Sequence, residues 1–90
     1  MAQKVVLVTG ASSGIGEATT LKLKNLGYTV YGAVRRIDRM QHLAKDGIHI
    51  LAMDVTDDDS IQAGIEKISA ETGRIDALVN NAGYGHHLFE

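Results

Sequence analysis

The stretch from Thr9 to Gly16, Thr-Gly-Ala-Ser-Ser-Gly-Ile-Gly, has the residue types and spacing to hold an anion. Glycines let a phosphate approach the backbone closely. A helix starting among them would offer free N–H groups and a partial positive charge. A second candidate is Arg35-Arg36, whose guanidiniums can meet a phosphate with paired, charge-assisted hydrogen bonds. A third is the amide- and glycine-bearing run Asn80-Asn81-Ala82-Gly83. A glycine turn alone is a weak signal, and Gly10, Gly14 and Gly16 depart from the G-x-G-x-x-G spacing of the general dinucleotide fingerprint.

The elements that position these residues follow from the hydrophobic pattern. Val5-Val6-Leu7-Val8 reads as a strand buried on both faces. Ile15, Ala18, Thr19, Leu23 and Leu26 then recur at helical spacing, and Gly27 suits a helix C-terminus. Residues 28–34 are rich in aromatic and β-branched types and predict a second strand. Ile37, Met40, Leu43 and Ala44 space out a short helix closed by Asp46-Gly47, and residues 48–53 form a third strand. Thr56-Asp57-Asp58-Asp59 makes a helix start with Thr56 as cap. Ile61, Ile65 and Ile68 form its buried stripe, Gly73 ends it, and Gly64 within it implies close packing. Residues 75–80 predict a fourth strand.

Alternating strands and helices with short connections point to an α/β fold with a parallel sheet covered on both faces. Right-handed crossovers put the first two helices on one face. If the fourth strand pairs beside the first, the third helix lies on the other face and the order is 3-2-1-4. The switch point then lies between strands one and four. The glycine turn and the Asn80–Gly83 segment line one crevice there.

The totals bound the function classes. Ninety residues make one small domain, and a net charge of −2 gives no broad pull toward nucleic acid or anionic lipid. Hydrophobic residues at 44% suit a globular chain. The lack of cysteine excludes disulfides and thiolate zinc sites and suits a reducing, cytoplasmic setting. Neither a spanning apolar run nor a signal peptide is expected, so no membrane partner is.

Taken together, Thr9-Gly10-x-x-x-Gly14-x-Gly16 and Asn80-Asn81-Ala82-Gly83 closely resemble the short-chain dehydrogenase/reductase family, and Asp54-Val55 matches a further signature of it. The resemblance covers essentially the whole chain. It implies a single Rossmann-like dinucleotide-binding domain over residues 1–90: a three-layer half with a four-stranded parallel sheet and three helices. It also implies roles. Gly10 makes the tight turn, and Ser12 and Ser13 line the loop near the phosphates and adenosine ribose. Gly14, Ile15 and Gly16 set a helix N-terminus against the pyrophosphate. Asp54 accepts from the adenine amino group with the Val55 backbone beside it. Asn81, Ala82 and Gly83 border the ribose and nicotinamide, and Asn80 ties strand four to its neighbours.

The end of strand two separates the two nicotinamide cofactors. An acid there accepts from the ribose 2′-OH of NAD, whereas arginine favours the 2′-phosphate of NADP. The strand runs into Arg35-Arg36 with no acid at its tip, so NADP is expected over NAD, although Asp38 lies close by. The family's catalytic serine, asparagine and Tyr-x-x-x-Lys pair lie beyond the fourth strand. Here Tyr28, Tyr31 and Tyr84 are followed four residues on by Gly32, Arg35 and Leu88, so no catalytic residue is assigned. His86 and His87 point to opposite sides of an extended segment and do not make a metal site.

Three readings follow from the sequence. The chain is the NADP(H)-binding half of a reductase, without turnover of its own; or a piece whose activity belongs to a longer carbonyl or alcohol oxidoreductase. The alternative is a truncated or designed α/β scaffold with weak or no cofactor binding. An unpaired fourth-strand edge with apolar surface at Leu78 and Val79 further predicts a homo-oligomer, unless the tail with Leu88 and Phe89 folds over it.

Overall fold

Val5–Thr9, the first strand (β1), is buried at all five positions, because a helix layer covers each face and a strand pairs on each side. The computed structural model describes residues 4–11, 14–37 and 41–80. After β1 come α1 (Gly14–Asn25), β2 (Thr29–Val34), α2 (Gln41–Lys45), β3 (His49–Ala52), α3 (Asp58–Thr72) and β4 (Ala77–Val79). The sheet is parallel throughout, in the order β3-β2-β1-β4. This is the expected α/β architecture, with the switch point between β1 and β4.

Strand alternation divides the core into two layers. Val6, Val8, Val30, Val34 and Ile48 pack with Leu43 of α2, and Leu21 and Leu23 of α1 lie against them. On the opposite face Val5, Leu7, Tyr31, Ala33, Leu51 and Met53 pack with Ile68 of α3. The helices are therefore distributed as right-handed crossovers require.

The helix stripes differ from the periodic expectation. In α1 the buried positions are Gly16 and Thr20, while Ile15 is 74% exposed and Leu26 64%. A glycine and a threonine face the sheet because the helix start lies close to it, and the Thr20 hydroxyl is satisfied by donating to the Glu17 carbonyl (2.7 Å). In α3 the inward positions are Ile61, Gly64 and Ile68, with Ile65 exposed. Gly64 does mark close packing: a Cβ there would run into Met53 Cε and lie 3.2 Å from Leu51 Cδ2. The N-cap of α3 is Asp57, which accepts from the Asp59 N–H at 3.0 Å; Thr56 is not the cap. Gly73 closes the helix in the left-handed conformation (φ 79°), as expected. The second helix is described over Gln41–Lys45, and Asp38 and Met40, on which the expected start falls, lie outside the described residues.

Two polar ties lock β4 and α3 to the sheet. Asp76 Oδ2 accepts the Val5 N–H at 2.7 Å, the Asp76 N–H donates to the Val5 carbonyl at 2.8 Å, and Arg74 grips the same carboxylate with Nε and Nη2. Asp76 is consequently held below the ordinary carboxylate range, first by Arg74. On the α3 face the Tyr31 hydroxyl donates to Glu71 Oε1 at 2.6 Å, joining β2 to α3, and the ring stacks on His49 at 4.7 Å.

Burial, then the hydrogen bond to Glu71, pushes the Tyr31 phenol up to about 12 from its ordinary 10.0. A raised folded-state value means that the fold favours the protonated phenol, so its contribution is intact below pH 10 and fades as the pH rises toward 12. Denaturant titration of Tyr31→Phe should show a loss of about 1 kcal/mol at neutral pH. Its stability should then decline less steeply than that of the wild type between pH 10 and 12. Equal slopes in that window would rule out this clasp.

Candidate functional site

The candidate residues gather where the strands deliver their carboxyl ends. Gly10 leaves β1 with φ 64°, a left-handed conformation that glycine adopts without a steric penalty. This turn swings Ala11 inward until it is fully buried, and its N–H donates to the Ala33 carbonyl of β2 at 3.2 Å. Gly32 makes room for it: a Cβ at position 32 would lie 3.1 Å from Ala11 Cβ. With Ala11 fastened, α1 must begin just beyond the end of β1. Gly14 and Ile15 at that start are exposed, Gly16 is buried, and among the described residues a Cβ added at Gly14 would meet nothing within 4 Å.

Across the switch point, Thr9 Oγ1 donates to Asn80 Oδ1 at 3.0 Å, the strand-tying role expected for Asn80. Asn81, Ala82 and Gly83 lie outside the described residues, as do Ser12, Ser13, His86, His87, Leu88 and Phe89.

On the other side, β2 ends in Arg35 and Arg36, both exposed. Asp54 follows β3, and its Oδ2 stands 4.0 Å from Arg35 Nη2. The two side chains are 76% and 39% exposed, so the pair is loose and contributes little stability. The other oxygen is occupied: Asp54 Oδ1 accepts the Thr56 N–H at 2.9 Å and the Thr56 hydroxyl at 2.6 Å. Those bonds, the hydroxyl first and Arg35 least, hold the Asp54 carboxyl below its ordinary range. Val55 is half-buried against the α3-side core, which seats the turn. The structure thus brings Arg35 beside Asp54, with Arg36 next to Arg35, and places Gly10, Gly14, Ile15 and Gly16 at the end of β1.

Two participants were not singled out by the sequence. Thr56 reads as a helix cap but bonds the Asp54 carboxylate instead. Glu17, in the first turn of α1, meets His42 Nε2 of α2 at 2.6 Å. Neither residue belongs to a motif, and only the folded chain brings Glu17 to His42. Among the described residues no cluster of His, Cys, Asp and Glu could hold a metal, and no helix is long and apolar enough to cross a membrane.

The donor set fits a dinucleotide phosphate. It combines an accessible helix start without an acid before Glu17 with a pair of exposed guanidiniums; the ionised Asp54 carboxylate beside them only accepts, and so suits a hydrogen-bond donor of the ligand instead of its phosphate.

Comparison with known proteins agrees with this fold. Residues 4–90 match the short chain dehydrogenase family, and the chain belongs to it. It is 40% identical over 85 residues to 3-ketodihydrosphingosine reductase of Bacteroides thetaiotaomicron, covering 94% of this chain and 30% of that protein. It is 42% identical over 84 residues to NADPH-dependent 1-acyldihydroxyacetone phosphate reductase of Schizosaccharomyces pombe, covering 91% and 28%. Among solved structures, a metagenomic short-chain oxidoreductase in complex with NADP superposes with a TM-score of 0.81 at 37% identity, covering 92% of this chain and 40% of that one. The chain therefore spans about a third of the length of these relatives.

A depressed carboxylate contributes stability above its unfolded-state pKa, and that contribution disappears as the pH falls through the lower folded-state value. Asp54→Asn should therefore unfold at a lower urea concentration than the wild type at pH 7. The gap between their midpoints should close as the pH drops below the ordinary 3.8.

Proposed function

We propose that this chain binds NADP(H) as the nucleotide-binding part of a short-chain reductase that interconverts a carbonyl and an alcohol. The observation that carries the choice of cofactor is Arg35 and Arg36 at the carboxyl end of β2, exposed, with no acid at the strand tip. A guanidinium there pairs with the 2′-phosphate that distinguishes NADP from NAD. Two similar proteins, an NADPH-dependent reductase and a short-chain oxidoreductase in complex with NADP, support the same choice.

In this reading Gly10, Gly14, Ile15 and Gly16, with Ser12 and Ser13, seat the pyrophosphate on the start of α1. Arg35 and Arg36 take the 2′-phosphate, and Asp54 with the Val55 backbone receives the adenine. Asn81, Ala82 and Gly83 border the nicotinamide. The bound cofactor would supply the hydride. The residues of this chain bind and orient it and carry no proton in the reaction. The serine, tyrosine and lysine that the family uses for proton transfer have no counterpart among the residues assigned here, so this chain alone is expected to bind without turnover.

Calorimetric titration tests the assignment. The wild type should bind NADP more tightly than NAD, and the double substitution Arg35→Asp with Arg36→Ala should weaken NADP by tenfold or more, because a charged hydrogen-bonding site is worth about 1.5–3 kcal/mol. NADP binding that survives both substitutions unchanged would refute the arginine assignment. No binding of either cofactor would favour the scaffold reading.

The same reading includes self-association. Among the described residues β4 is a three-residue edge strand, and its Leu78 is 59% exposed. Sedimentation should show a mass that rises with concentration, and Leu78→Lys should shift the distribution toward monomer. A constant monomer mass for the wild type would exclude pairing through that edge.

A further inference from the structure

We propose that Thr56 is a positioning residue for the adenine end of the site and sets its preference for an amino-bearing purine. It does so by holding Asp54 with one carboxylate oxygen engaged and the other presented beside Arg35. The inference rests on the cofactor reading above and assigns a specificity device within that site.

Asp54 is fixed by four bonds, all to residues 56–60. Its N–H donates to Ser60 Oγ at 2.9 Å, and its carbonyl accepts the Asp57 N–H at 3.0 Å. Its Oδ1 takes both the N–H and the hydroxyl of Thr56. What is left is Oδ2, on a side chain 39% exposed, whose described neighbour, Arg35 Nη2, stands at 4.0 Å, beyond hydrogen-bond distance.

An ionised carboxylate only accepts hydrogen bonds. Held in this orientation it accepts from the exocyclic amine of adenine and repels the 6-oxo group of hypoxanthine, which is itself an acceptor. The alternative resting place for the carboxylate is Arg35. Guanidinium and carboxylate prefer a two-pronged pairing, and reaching it requires the Asp54 side chain to rotate. The short bond from the Thr56 hydroxyl opposes that rotation. The hydroxyl therefore protects two binding groups at once, the acceptor for the base and the guanidinium for the 2′-phosphate. The same bond helps keep Asp54 ionised.

The chemistry makes a sharper demand of Asp54→Asn. Thr56 offers two donors to Oδ1, so an asparagine here would turn its carbonyl oxygen toward Thr56 and its NH2 outward. The presented atom becomes a donor, and the base preference should invert toward hypoxanthine.

The test is calorimetric titration of the full chain with NADP and with its hypoxanthine analogue, nicotinamide hypoxanthine dinucleotide phosphate. The wild type should prefer NADP by about tenfold, the worth of one charged hydrogen bond. Thr56→Val should lose most of that preference, mainly through weaker NADP binding, and Thr56→Ser, which retains the hydroxyl, should recover it. Asp54→Asn should favour the hypoxanthine cofactor. A purely structural role for Thr56 would weaken both ligands in parallel and leave their ratio unchanged, which overturns the proposal. So does a wild type that binds both equally, or a Thr56→Val variant that keeps the full preference; in those cases the cofactor reading stands. A wild type that binds neither ligand overturns the cofactor reading itself.

Discussion

The whole arrangement depends on how Ala11 is buried. Leaving β1, the chain turns at Gly10 and drives Ala11 between the strands and the helix layer, where Gly32 alone has no side chain to obstruct it. Its N–H is satisfied by the Ala33 carbonyl, so the turn is both packed and hydrogen-bonded. That contact fixes where α1 can begin relative to β1 and β2. A side chain at position 32 would press on Ala11, whose Cβ would lie 3.1 Å from the new Cβ. The position of the anion seat is thus a packing result. The glycines that could admit a phosphate would be of little use if their loop were free to move.

Around this point the sheet is tied from both sides. Asp76 replaces a missing strand partner by offering its carboxylate to the Val5 N–H, and Thr9 bonds Asn80 at the other end of the same pair of strands. Without these ties β4, with only three residues in register, would be weakly specified. The two ends of β1 are therefore held by side chains where the backbone ladder is shortest, and the crevice between β1 and β4 opens at a defined place.

Most of this architecture was legible in the sequence because period-2 burial, glycine stops and crossover handedness all point to the same topology. The strand order, the helix faces and the glycine at Gly64 follow from those signals. What escaped was local. In α1 an apolar pattern through Ile15 and Leu26 suggested the wrong stripe, because a glycine and a threonine carry the contact where the helix lies close to the sheet. Ile15 sits at the start of α1, exposed and outside the core. In the segment after β3, Thr56 and Asp57 both qualify as caps by type. The choice between them is decided by Asp54, whose carboxylate outcompetes the helix for Thr56. Composition cannot rank such competing hydrogen bonds.

Electrostatics then distinguishes one helix start from another at the same end of the sheet. The start of α3 is anionic: Asp57 caps it, Asp58 and Asp59 follow in the first turn, and the N–H of Asp59 is already taken. An anion arriving there meets like charge. The start of α1 has glycine, isoleucine and glycine, and the first acid, Glu17, is drawn to His42. Arg35 and Arg36 stand at the end of the neighbouring strand. A dinucleotide approaching a chain of net charge −2 is therefore not attracted by the molecule as a whole. Under the proposed function it would be directed by the contrast between these two helix starts, with the carboxyl end of β1 as the dock and the loop after β3 left to recognise the base.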